Sequence, residues 1–80
     1  MSTKLSDIKN GNCATVTSIE DSSIRLKLME MGLLPGREVT VLFRAPLGDP
    51  MAIDVDGYIL SLRLDEASMI QVEEHSFAFA

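Results

Sequence analysis

Few side chains in this sequence could do covalent chemistry. It holds one cysteine, Cys13, and one histidine, His75, near opposite ends of 80 residues. A nucleophilic Cys-His pair needs a third group to orient the base and a cleft to hold substrate, and the sequence signals neither. Cys13 therefore reads as a small, partly buried strand residue. A transition metal asks for His and carboxylate ligands that converge while leaving positions open. Glu73-Glu74-His75 is the local cluster of that composition, but alternation along a strand puts only Glu73 and His75 on a common side. Asp54 and Asp56 likewise share a face. Both groups read more simply as solvated acidic surface, so neither a metal nor a cofactor is expected. No Gly-x-x-x-x-Gly-Lys-Ser/Thr loop is present to cradle a phosphate. Arg44 sits on the outer face of an expected strand, just before a stiff loop. An arginine so placed can reach a phosphoryl group in trans; the plainer reading is a solvated arginine paired with a nearby acid.

Composition narrows the partners. The net charge is −5, and it is unevenly placed. Six basic residues stand against five acidic ones through Arg44, whereas from Ala45 onward Arg63 alone opposes seven carboxylates. Phosphate backbones attract basic patches, so nucleic acid is not expected, and a basic membrane-binding face is equally unsupported. Apolar residues make up 46% of the chain, enough for a globular core drawn mainly from Leu, Ile, Val and Met. No apolar run approaches the ~18 residues of a membrane span, and Met1–Lys9 lacks the apolar block of a signal peptide. A small domain whose single cysteine has no internal disulfide partner suits a reducing cytoplasm.

The elements that must position these residues read in order. Lys4–Gly11 is a helical turn or irregular arm that tucks Leu5 and Ile8 onto the core. Cys13–Ile19 is β-branched and strand-like, with alternation too weak to assign its faces. Asp21, Ser22 and Ser23 are N-cap candidates for a helix over about Ser23–Met31. Ile24, Leu28 and Met31 form one stripe of it, and Leu26 and Met29 lie opposite. The plain reading buries both sides; the sharper one leaves Leu26 and Met29 as an exposed patch for a partner. Gly32 ends the helix, and Pro35-Gly36 is a turn. Glu38–Arg44 is a strand with Val39, Val41 and Phe43 inward and Leu42 as an apolar exception outward. Ala45–Pro50 is a stiff loop. Asp56-Gly57 signals a two-residue hairpin that sets Val55 against Tyr58, Ile53 against Leu60 and Met51 against Leu62, all six on one apolar face. Asp65–Ser68 is a helical turn, and Met69–Glu73 a last strand with Ile70 and Val72 inward. Residues 75–80 are expected to fray, although Phe77 and Phe79 alternate as they would in a strand added to a neighbour. About five short strands with one inserted helix predict a mainly β fold, a small closed or nearly closed barrel.

Four pieces of this sequence, in this order and spacing, resemble the FeoA family, small cytoplasmic partners of the bacterial ferrous-iron transporter FeoB. They are Leu5-Ser-Asp-Ile-Lys-Asn-Gly11, Lys27-Leu-Met-Glu-Met-Gly-Leu-Leu-Pro-Gly36, Arg44-Ala-Pro-Leu-Gly-Asp-Pro50, and Leu62-Arg63 with Glu66-Ala67 and Ile70-Gln-Val-Glu73. The resemblance covers nearly the whole chain and implies an SH3-like β-barrel domain over residues 1–74. It implies a non-enzymatic module that regulates or assembles FeoB by binding its cytoplasmic region, without membrane insertion and with weak self-association left open. Groove binding by such barrels directs attention to Leu26, Met29, Leu33 and Leu34 together with Pro46, Leu47, Asp49 and Pro50. There an apolar wall supplies affinity, and Lys27 or Arg44 orients an acidic partner segment. The resemblance also brings in a GTPase-activating role as one reading of Arg44. The alternative is a free-standing homologue of the SH3-like regulatory domain of iron-dependent transcriptional repressors.

Overall fold

The Asp56-Gly57 turn sets the most regular part of the structure. A two-residue turn of this kind needs positive φ at both positions, and Asp56 and Gly57 adopt φ values of 55° and 87°. The strands that flank it, Met51–Val55 and Tyr58–Leu62, pair as Val55 with Tyr58, Ile53 with Leu60 and Met51 with Leu62, the register read from the sequence. The computed structural model describes residues 3–75. Among these residues the strands are β1 (Thr3–Lys4), β2 (Cys13–Ile19), β3 (Glu38–Arg44), β4 (Met51–Val55), β5 (Tyr58–Leu62) and β6 (Ile70–His75). They form one antiparallel sheet in the order β1-β6-β2-β3-β4-β5. A 3-10 turn, Leu5–Asp7, follows β1; helix α1 (Arg25–Glu30) lies between β2 and β3, and helix α2 (Leu64–Ala67) between β5 and β6.

The fold is mainly β with short helices, as expected, and two features refine the expected small barrel. Among the described residues the strands number six, because Thr3 and Lys4 pair with Val72 and Gln71; two residues are too few to show a period. The barrel is not closed by hydrogen bonds, since no ladder joins β5 to β1 among the described residues. His75 belongs to β6 and pairs with Cys13, so the last strand runs two residues past its expected end. The remaining tail, with Phe77 and Phe79, lies outside the described residues.

Two β-bulges explain where alternation misleads. An extra residue in one strand reverses the facing of everything beyond it. In β2 the register slips at Thr17, so Ala14 and Val16 and then Ile19 all reach the core. In β3 it slips at Leu42, between Val41 opposite Ile53 and Phe43 opposite Ala52. Val39 and Val41 are buried, while Phe43 is turned to the outer face and is 58% exposed. The inward placement of Phe43 is thereby corrected. The hairpin needs a similar adjustment: Met51, Ile53, Val55 and Leu62 are core, Leu60 is half-buried, and Tyr58 at the tip is exposed.

Helix α1 is shorter than expected. Its N-cap is Ile24, with no side-chain cap bond, so Asp21, Ser22 and Ser23 form a preceding turn instead of capping it. Its C-terminus closes in the Schellman pattern: Leu33 N–H donates to Leu28 O and Gly32 N–H to Met29 O. Gly32 has φ of 101° there, and a Cβ would meet only Val55 Cγ1 at an ordinary 3.8 Å. The backbone angle, not crowding, calls for glycine. Apolar contact between the residues at the two ends of such a motif is usual, and Leu28 and Leu33 are both fully buried.

Candidate functional site

The residues that chemistry singled out are occupied with holding the fold. Cys13 and His75 stand opposite each other across β2 and β6, yet their polar atoms turn elsewhere. Cys13 Sγ lies 3.3 Å from Thr40 Oγ1, and His75 Nε2 is hydrogen-bonded at 2.6 Å to Thr15 Oγ1. Asn12 Nδ2 donates to Glu74 Oε2. Among the described residues no three His, Cys, Asp or Glu side chains are grouped to hold an ion. Asp54 and Asp56 serve the hairpin: Asp54 Oδ1 accepts the Gly57 N–H at 2.9 Å, and Asp56 accepts from Arg37.

Arg44 faces inward against the lead-in arm. The bulge at Leu42 turns it from the outer face, and its guanidinium then reaches backbone. Nη2 donates to Ser6 O at 2.9 Å and Ile8 O at 2.8 Å, and Nη1 to Asn10 Oδ1 at 2.6 Å. The expected outward, solvated placement is corrected. A planar fork of donors matched to carbonyl oxygens is what arginine offers and lysine does not. With these donors engaged, the side chain is committed to its own chain.

The ten residues expected to form a contact wall range from buried through half-buried to exposed. Leu33 is 0% exposed; it seals the helix end and is corrected from surface to core. Asp49 is exposed, but its Oδ1 accepts the Leu64 N–H at 3.1 Å and so ties the loop to the first turn of α2. Met29 and Leu34 are half-buried, Met29 against the core. Leu26 is 67% exposed, so the reading that buries both sides of the helix fails at Leu26 and holds in part at Met29. Lys27 is exposed, with Nζ 3.9 Å from Glu66 Oε2. Pro46 and Pro50 are exposed. Leu47, at the tip of a turn closed by Gly48 N–H to Ala45 O, is 97% exposed and touches almost nothing. Leu26 and Leu47 are thus the two apolar side chains of this set that stand most open to solvent.

Sequence reasoning missed a second surface. At the C-terminal end of α1 an open cleft of about 240 Å³ is lined by Met31, Gly32, Val55 and Tyr58. Glu30 and the paired Arg37 and Asp56 supply its charge. Small-molecule pockets run to about 300–1,000 Å³, so this one suits a single partner side chain better than a cofactor. Tyr58 is 73% exposed, and Ile59, next to it on the other face of β5, is 66% exposed. The available signal was position: Tyr58 adjoins the hairpin turn, where a strand overhangs its core.

The family model for the FeoA domain matches residues 3–74. The chain belongs to the FeoA family. A fusion protein of Fe(2+) transport protein A and Fe(2+) transporter FeoB from Porphyromonas gingivalis is 35% identical over 71 residues, 88% of this chain and 8% of the fusion's length. Among solved structures, an FeoA-like protein from Clostridium acetobutylicum superposes with a TM-score of 0.90 at 35% identity, covering 99% of this chain and 93% of that one. A Stenotrophomonas maltophilia FeoA solved with zinc, described as a prokaryotic SH3 domain protein, gives 0.80 at 29% identity over 89% of each chain. The SH3-like fold expected from the sequence is therefore the fold observed. A manganese-dependent transcriptional repressor gives 0.85 at 21% identity, covering 92% of this chain and 37% of that one, which is a likeness of fold alone. No helix among the described residues of this FeoA domain is long and apolar enough to cross a membrane.

Proposed function

We propose that this FeoA domain is a non-enzymatic binding module that engages the cytoplasmic region of the FeoB ferrous-iron transporter and regulates or assembles it. The observation that carries this reading is the Porphyromonas gingivalis fusion, in which a matching segment and FeoB share one polypeptide. Covalent linkage raises the effective concentration of one module at another, an arrangement that favours two parts that touch. The engagement of Arg44, Asp49, Cys13 and His75 within the fold supports a role carried by surface contacts. Leu26 on α1, flanked by Lys27, is the apolar contact point best placed for an acidic-apolar segment, and Leu47 is a second. Met29 and Leu33 belong to the core side and act through folding.

Iron uptake in a strain deleted for this gene tests the proposal. Wild-type chain restores uptake, whereas Leu26→Glu, folded by circular dichroism, restores markedly less. Full uptake in the deletion strain itself would sink the reading.

A further inference from the structure

We propose that β5 is a self-association edge, along which two copies of this chain pair antiparallel about a twofold axis at Leu60. Among the described residues strand β5 ends the sheet and pairs with β4 alone. Residues that flank a two-residue turn form a hydrogen-bonded pair, and such pairs alternate along the ladder. Tyr58, Leu60 and Leu62 therefore direct their backbone groups to β4, and Ile59 and Ser61 direct theirs to the open edge. No backbone bond from Ile59 or Ser61 reaches another element among the described residues.

Natural sheets protect such edges with proline, lysine, inward charge or a covering element. Tyr58-Ile-Leu-Ser-Leu62 has no proline and no charge, and Tyr58 and Ile59 are both exposed. The occupant follows from self-complementarity. With Leu60 opposite Leu60 of the second copy, Ile59 falls opposite Ser61 and Ser61 opposite Ile59, and all four outward N–H groups meet outward carbonyls. Leu60 packs against its counterpart on one face, and Tyr58 lies against Leu62. On the other face Ile59 continues the row of Phe43, Ala52 and Ser61, which are neighbours across β3, β4 and β5. The same register sets Arg63 opposite Gly57 and beside Asp56 of the second copy, at both ends of the pair, where the half-exposed carboxylate that accepts from Arg37 has a second oxygen to offer. Arg63 is free to turn there, since its ion pair with Asp65 is 3.9 Å long and about three-quarters exposed on both sides. An isologous contact of this kind closes at two copies.

Sedimentation equilibrium over a concentration series tests the proposal, with Ile59→Lys and Ser61→Pro as variants. The lysine removes the apolar contact; the proline removes one outward N–H and leaves the β4 ladder whole, as edge positions allow. Wild-type chain is expected to dimerise, and each variant to raise the dissociation constant at least about tenfold. Amide exchange at Ile59 and Ser61 slows with rising concentration of wild type. A wild type monomeric up to about 1 mM would overturn the proposal. So would dimers undiminished in both variants, or protection of these amides only when a different protein is added. The inference stands apart from the transporter reading, and failure of either leaves the other intact.

Discussion

Arg44 holds the backbone of Ile8 across 36 residues of sequence, its Nη2 atom 2.8 Å from the Ile8 carbonyl oxygen. The same nitrogen bonds Ser6 O, so one side chain fixes the arm that carries Leu5 and Ile8, both fully buried. What resembles a functional arginine is a clamp between the lead-in and the end of β3.

Removing that clamp exposes its cost. Bonds to a charged donor contribute about 1.5–3 kcal/mol each, and several are shared here. Arg44→Ala is expected to lose about 2–3 kcal/mol in urea unfolding. Arg44→Lys recovers little of it, because a point charge does not reproduce the fork. An unchanged midpoint for Arg44→Ala would show the guanidinium to be dispensable.

Leu33 separates folding from contact. Leu33→Ala opens a cavity at the helix end and should cost about 2–5 kcal/mol. Leu26→Ala, which removes an exposed side chain, should move stability by no more than about 0.5 kcal/mol. Thermal unfolding of the two side by side checks the ordering.

Gly57 supplies a positive φ of 87° beside Asp56. Gly57→Ala forces a side chain into that region, at a cost of about 1–2 kcal/mol. Denaturant midpoints measure it, and nothing lies within 4 Å of the added Cβ, so any loss reports backbone conformation and not a clash.

Asp49 acts as a cap from a distance. Asp49→Ala leaves the Leu64 N–H without its protein acceptor and should cost about 1 kcal/mol, the usual value of a helix cap. Asp49→Asn keeps an acceptor oxygen and should cost less. Amide exchange at Leu64 distinguishes the two.

Much of the fold was legible because short-range rules act alone at certain points. Asp56-Gly57 dictated the β4–β5 register, and Leu34-Pro-Gly-Arg37 closes through Arg37 N–H to Leu34 O, with Gly36 at φ 92°, as a Pro-Gly turn should. What was not legible depends on contacts between distant segments. Leu42 and Phe43 are adjacent apolar residues, a pattern that any strand breaking alternation would show, and only the pairing with Ala52 reveals that the bulge expels Phe43. Arg44 meets backbone carbonyls, which no side-chain pattern records. Leu33 looked like surface because it follows a helix stop; the Schellman closure folds it back onto Leu28. For the site, Leu26 and Leu47 were visible as apolar residues in polar surroundings. Tyr58 and Ile59 were hidden by a pattern that fits a buried hairpin equally well.

Co-purification of this chain with the cytoplasmic region of FeoB tests the central claim most directly. The account predicts retention of the wild-type chain and loss of retention for Leu26→Glu that remains folded. A wild-type chain that passes through without retention would contradict it.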